Sequence, residues 1–191
     1  MKKINVFLAS SNELKPEREQ FEIEIYRKCK AWVDQGIFLN LDIWEDLSAR
    51  MSDTRSQDEY NKTIAACDLF VLLACNKVGM YTAEEFDKAF GTFKATQKPF
   101  IFTYFKETGG AAQSSLQEFK GRLKALGHFY SRYTDLNDLW GQFNKELDRL
   151  QRAEFEKNEH TGVKIAGNRS IKQGDKSTYI EKGKDININI Q

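Results

Sequence analysis

Five short apolar runs, each followed by residues at helical spacing, divide the chain from Ile4 to about Leu150. The runs are Ile4–Ala9, Ile37–Trp44, Leu69–Cys75, Phe100–Phe105 and Phe129–Tyr133. Apolar stretches of that length, bounded by turn residues, read as strands. Between them, Phe21, Ile25, Cys29, Trp32 and Val33 recur at helical spacing after Pro16, which suits a first helical turn. Tyr60, Ile64 and Cys67 do the same after Ser56, as do Phe86, Ala89, Phe90 and Phe93 after Tyr81. Leu116, Phe119, Leu123 and Leu126 mark a further helix, and Leu136 to Leu150 a final one. Leu69–Cys75 (LFVLLAC) is the most continuous run, as a central parallel strand covered on both faces requires.

Alternation of this kind predicts an α/β, doubly wound, five-stranded parallel sheet with right-handed crossovers. The flavodoxin-like strand order 2-1-3-4-5 is expected. Ligands of such sheets lie beyond the carboxyl ends of the strands, near the switch between the first and third. The loops after Ala9, Trp44 and Cys75 are therefore the ones to inspect.

Residues 1–152 account for this unit, and 153–191 form a tail of different character. The tail is polar and glycine-containing and ends in Ile186-Asn-Ile-Asn-Ile190, whose strict alternation predicts a strand with one apolar face. A hairpin folded back on the domain, a flexible end, or an edge strand joining copies or a partner all remain open.

Charge and composition exclude several classes. Net charge is +1, and no basic stripe with interleaved aromatics occurs, so nucleic acid is not an expected partner. No apolar run is long enough for a membrane span. The opening MKKINVFLASS is too briefly apolar for a signal peptide, so a cytoplasmic location is expected. Cys29, Cys67 and Cys75 each sit in an apolar pattern and read as reduced core residues. Two histidines, His128 and His160, make a histidine-rich metal site improbable, and no metal is expected. His128 reads as part of a strand start.

The loop after the third run carries the most chemistry: Val78-Gly-Met-Tyr-Thr-Ala-Glu-Glu-Phe86. Glu84 and Glu85 are expected in the first turn of the following helix. Two readings of them stay open. Thr82-x-x-Glu85 has the form of a capping box, in which the glutamate reaches back to a backbone N–H. Alternatively, one glutamate faces the cleft and works on a bound sugar. Cleavage of a ribose–nitrogen bond builds positive charge on the ribose ring, which a nearby carboxylate stabilises or attacks. A pyridinium leaves as neutral nicotinamide and needs no proton, so one carboxylate suffices. Tyr81, Trp44, Ser10, Ser11 and Arg50 are suitable types in suitable loops for stacking and for gripping ribose or phosphate. Trp44 also reads as core, and the serines as ordinary turn residues.

The stretch from Ile4 to about Leu150 resembles a bacterial TIR domain. The resemblance rests on Phe7-Leu-Ala-Ser-Ser11, the loop after Trp44 with Arg50 and Arg55, Thr54-Arg-Ser-Gln-Asp-Glu-Tyr-Asn61, and Gly79-x-Tyr-Thr-x-Glu-Glu-Phe86 followed by Lys98-Pro99. It implies a flavodoxin-like fold and an NAD⁺ glycohydrolase that yields nicotinamide plus ADP-ribose or a cyclic isomer. NAD⁺ would be the substrate, with no separate cofactor. Glu85, before Phe86 and after Tyr81, matches the family's catalytic glutamate, with Glu84 as the fallback. Residues 46–57, holding Arg50 and Asp53, correspond to the loop that regulates access and self-association. Tyr81 stands where many relatives have tryptophan, a departure that bears on the stacking contact. The resemblance implies a part in anti-phage defence. A non-catalytic TIR adaptor is the alternative. The segment Gly79…Glu85…Ala89…Lys98-Pro99 is also similar to nucleoside 2-deoxyribosyltransferases.

Overall fold

A computed structural model describes residues 1–43 and 56–155. The chain divides after Lys157, and the second unit, Asn158–Gln191, lies outside the described residues, as does the expected strand at Ile186–Ile190. Among the described residues, ten strands and α-helices carry the fold: β1 (Lys2–Ser10), α1 (Lys15–Trp32), β2 (Ile37–Asp42), α2 (Ser56–Ala66), β3 (Leu69–Ala74), α3 (Met80–Thr96), β4 (Phe100–Lys106), α4 (Ser114–Ala125), β5 (Ser131–Tyr133) and α5 (Leu136–Leu150).

All strand pairs are parallel, and the order is β2-β1-β3-β4-β5. The expected doubly wound topology is therefore present. Every residue of β3 is buried, because helices cover both of its faces. Val6, Leu8, Val71 and Leu73 face a cluster built with Phe21, Ile25, Phe143 and Leu147 of α1 and α5. Phe7, Ala9, Phe70 and Leu72 face the opposite cluster, with Ile64 of α2, Phe86 of α3 and Phe119 of α4. Strand periodicity sends alternate side chains to opposite faces, so one apolar run feeds both cores.

Local chemistry sets the boundaries. Pro16 sits in the first turn of α1, where its missing N–H costs nothing. Gly36 (φ 77°) and Gly127 (φ 68°) take the left-handed conformation that ends the segments before β2 and after α4. Asp135 caps α5 by accepting from the Asp138 N–H. The three cysteines are free and buried, and burial pushes the Cys67 thiol up to about 12, so it is inert.

Three expectations need correction. The fifth strand is shorter than Phe129–Tyr133: it begins at Ser131, and Phe129 is 94% exposed. His128 starts no strand; its Nε2 lies 3.1 Å from Thr103 Oγ1 and its ring meets the edge of Phe86. Val33 leaves the apolar stripe of α1 and is exposed, since the helix tightens there into a 3₁₀ turn. No described helix is long and apolar enough to cross a membrane.

Candidate active site

The carboxyl end of β3 leads through Cys75–Gly79 into α3, and this connection decides what Glu85 does. Gly79 is the N-cap residue of α3, in an extended conformation with no side-chain cap, so Met80 is the first helical residue. Thr82 is then third and Glu85 sixth, one turn deeper than the sequence suggested. The capping-box reading fails on this register, since the first turn of α3 holds no acid.

Glu85 lies instead on the buried stripe of the helix. Thr82, Glu85, Phe86 and Ala89 are its buried residues, at i, i+3, i+4 and i+7. Phe86 anchors this stripe, stacked on Phe90 and edge-on to Phe119, with the Arg122 guanidinium over its ring. With Phe86 locked into the core, Glu85, about 100° round the helix, stays at the core's margin. It is 8% exposed. No described residue donates a hydrogen bond to it or pairs with it. Neither carboxylate oxygen is both fully enclosed and unpartnered, so the group still reaches water. Burial, reinforced by the neighbouring Glu84 charge, pushes its pKa from 4.5 up to about 7. An acid placed where a core helix wants an apolar residue is the kind of perturbed group that marks a site.

Tyr81 stands at the start of the same helix, 59% exposed, and Glu84 is half-buried. Ser10 ends β1, Ser11 follows it, and both are buried. Arg18, on the second turn of α1, holds both: its Nη1 donates to Ser10 Oγ at 2.9 Å and to the Ser11 carbonyl at 3.0 Å. Ser11 Oγ donates to Glu13. No described hydrogen bond joins either serine to Glu85. Trp44, Arg50 and Asp53 lie outside the described residues.

Sequence reasoning missed a polar layer beneath the rim. Glu17 is buried and ion-pairs with Lys106 at the end of β4. That hydrogen bond to Glu17 raises the Lys106 pKa. Glu13 accepts from the Asn76 N–H at 3.0 Å, and Thr108 donates to Asn76 Oδ1 at 2.9 Å. The Tyr133 hydroxyl is enclosed and unpartnered, and burial raises its pKa. One signal was available: Arg18 falls in register with Phe21, Ile25, Cys29 and Trp32, a charge on an apolar stripe.

A cavity of about 370 Å³ opens at this end of the sheet, on the β4–β5 side. Cys75, Asn76, Lys106 and Thr108 are among its walls; Glu85 is not. No group of three or more histidine, cysteine, aspartate or glutamate side chains that could hold a metal occurs among the described residues. No family model matches the chain, and no curated protein matches it significantly.

Proposed function

We propose that this protein is a TIR-type NAD⁺ glycohydrolase in which Glu85 acts on the nicotinamide ribose. The observation that carries the reading is a single glutamate on the buried stripe of α3, unpaired, touching water and held near pKa 7. It sits on the helix that follows β3, next to the switch point where doubly wound sheets bind ligands. A carboxylate free of hydrogen bonds has its full charge to offer the oxocarbenium-like transition state. The substrate's pyridinium carries a positive charge, which favours the ionised carboxylate on binding. The C1′–N bond then breaks with its electron pair passing to the ring nitrogen. Neutral nicotinamide leaves, and water or an internal nucleophile closes the ribosyl cation.

In this reading Tyr81, half out in solvent, supplies an aromatic wall, and Glu84 sharpens the electrostatics of Glu85. Ser10 and Ser11, fixed by Arg18, form the floor under the ribose and phosphates. Trp44, and Arg50 and Asp53 within residues 46–57, complete the grip. Self-association through that loop and the tail, a cytoplasmic location and a role in anti-phage defence belong to the same proposal. The alternating isoleucines of Ile186–Ile190 support the assembly part.

The test is incubation with NAD⁺, with nicotinamide and ADP-ribose products resolved by chromatography, for the wild type and Glu85→Gln. Release by the wild type and none by the variant is expected. A variant that keeps turnover overturns the role of Glu85. A wild type inert at every concentration favours the adaptor alternative.

A further inference from the structure

The cavity on the β4–β5 side stands apart from Glu85 and is built from three strand ends and one helix. Asn76 follows β3, Lys106 ends β4 and Thr108 lies just beyond it, Arg132 belongs to β5, and Lys120 reaches in from α4. Its volume of about 370 Å³ falls at the small end of ligand pockets, which run about 300–1,000 Å³. A pentose-sized body with one charged group fits that space; a dinucleotide does not.

The charges of its walls are unequal. Lys106 is committed to the buried Glu17, so that pair is neutral. Arg132 meets Glu107 at 3.5 Å, a long contact that engages one of its five N–H donors. Lys120 has no carboxylate partner among the described residues; its ammonium lies 4.7 Å from the Phe105 ring centroid and 5.8 Å from that of Tyr130. The rings hold the amine in place without cancelling its charge. Ala112, also in the wall, leads into α4, whose first turn contains no acid, so the helix's positive end is not neutralised. Positive charge is therefore in surplus on the α4 side. The wall after β3 and β4 carries the Asn76 amide, whose oxygen accepts from the Thr108 hydroxyl and whose Nδ2 reaches Glu13 Oε2 at 3.5 Å; the second Nδ2 hydrogen and the lone pairs of Thr108 Oγ1 suit sugar hydroxyls. Gly110 keeps this wall close, since a Cβ there would meet Asn76 Oδ1 at 3.4 Å.

We propose that this cavity binds a small phosphate monoester of a sugar, with Lys120 and Arg132 on the phosphate and Asn76 and Thr108 on the sugar hydroxyls. The ammonium and the guanidinium fork together match the tetrahedral oxygens of a phosphate.

The test uses the full chain and three probes: ribose 5-phosphate, ribose and inorganic phosphate. Binding is followed by titration calorimetry and by amide chemical shifts. Ribose 5-phosphate is expected to bind saturably, to shift the amides of Thr108, Gly110 and Arg132, and to bind tighter than either other probe. Lys120→Met and Arg132→Gln are each expected to weaken it about tenfold or more, with an unchanged thermal midpoint showing that both fold. No saturable binding up to roughly 10 mM, shifts confined to other regions, or variants that bind like the wild type would overturn the assignment. Inorganic phosphate binding as tightly as the ester overturns it too, because the sugar wall then contributes nothing.

Discussion

Arg18 Nη1 donates to Ser10 Oγ at 2.9 Å, and both residues are buried, so the charge of an α1 side chain holds the end of β1 in place. Removing Arg18 takes a donor from the buried Ser10 hydroxyl and leaves the Ser11 carbonyl with the Leu14 N–H alone. Arg18→Met, which keeps most of the stem, is expected to cost about 2–3 kcal/mol, since hydrogen bonds to charged groups are the stronger ones. Urea denaturation followed by far-UV circular dichroism measures it. A midpoint equal to that of the wild type would show that the contact is decorative.

Glu85 predicts a stability gain on mutation. Its folded-state pKa lies above the ordinary 4.5, at about 7, so the folded protein binds that proton more tightly than the unfolded chain. The stabilisation from protonated Glu85 is complete below pH about 4.5 and is lost as pH climbs through about 7. Over that window the ionised acid costs about 3 kcal/mol. Glu85→Gln, uncharged and of similar shape, is expected to be more stable than the wild type at pH 8 by up to that amount and nearly equal at pH 4. Thermal melts of both proteins across that range decide it.

The same group sets a pH–rate expectation. If the ionised carboxylate stabilises the ribosyl cation, kcat/KM for NAD⁺ rises with pH and levels off above an inflection near 7. The bound pyridinium charge lowers the inflection in kcat relative to that in kcat/KM. Glu84→Gln removes the neighbouring negative charge and moves the kcat/KM inflection to lower pH. A flat profile between pH 5 and 8 would mean that another group carries the reaction.

Two phenylalanines separate burial from hydrophobicity. Phe86 is fully buried among Phe90, Phe119 and His128, and Phe86→Ala is expected to cost about 3–5 kcal/mol. Phe129 stands in solvent, and Phe129→Ser is expected to change stability by no more than about 0.5 kcal/mol. Denaturant midpoints of the pair test whether β5 begins at Ser131.

The alternation of apolar runs and helical repeats made the sheet legible, because β3 has no polar position and each crossover carries its own stripe. Phe129 misled because an exposed aromatic beside a short edge strand has the same local pattern as a buried one. The capping-box form at Thr82 misled for a related reason. Motif spacing does not fix helix register, and the extended Gly79 moved the start of α3 three residues upstream of Ala83. Glu85 stood out through its loop motif and the resemblance; that it keeps step with Phe86 and Ala89 on the buried stripe follows only from the register of α3. The pairing of Glu17 with Lys106 was not legible, since the partners are 89 positions apart and only the parallel sheet brings them together. Lys120 and Arg132 likewise converge through topology and carry no shared sequence pattern.

The short connection from Cys75 to Gly79 is suspended from both neighbouring helices. Glu13, ahead of α1, takes the Asn76 N–H, while Asn76 O accepts from Gln113 N–H, and Val78 N–H reaches Ser115 Oγ in α4. Since α3 starts where this suspended span ends, the height of its acid above the sheet is trimmed by two distant segments at once. If Glu85 carries the proposed reaction, sequence drift at Glu13 or Ser115 would retune its rate long before it threatened folding, without altering the reacting group itself.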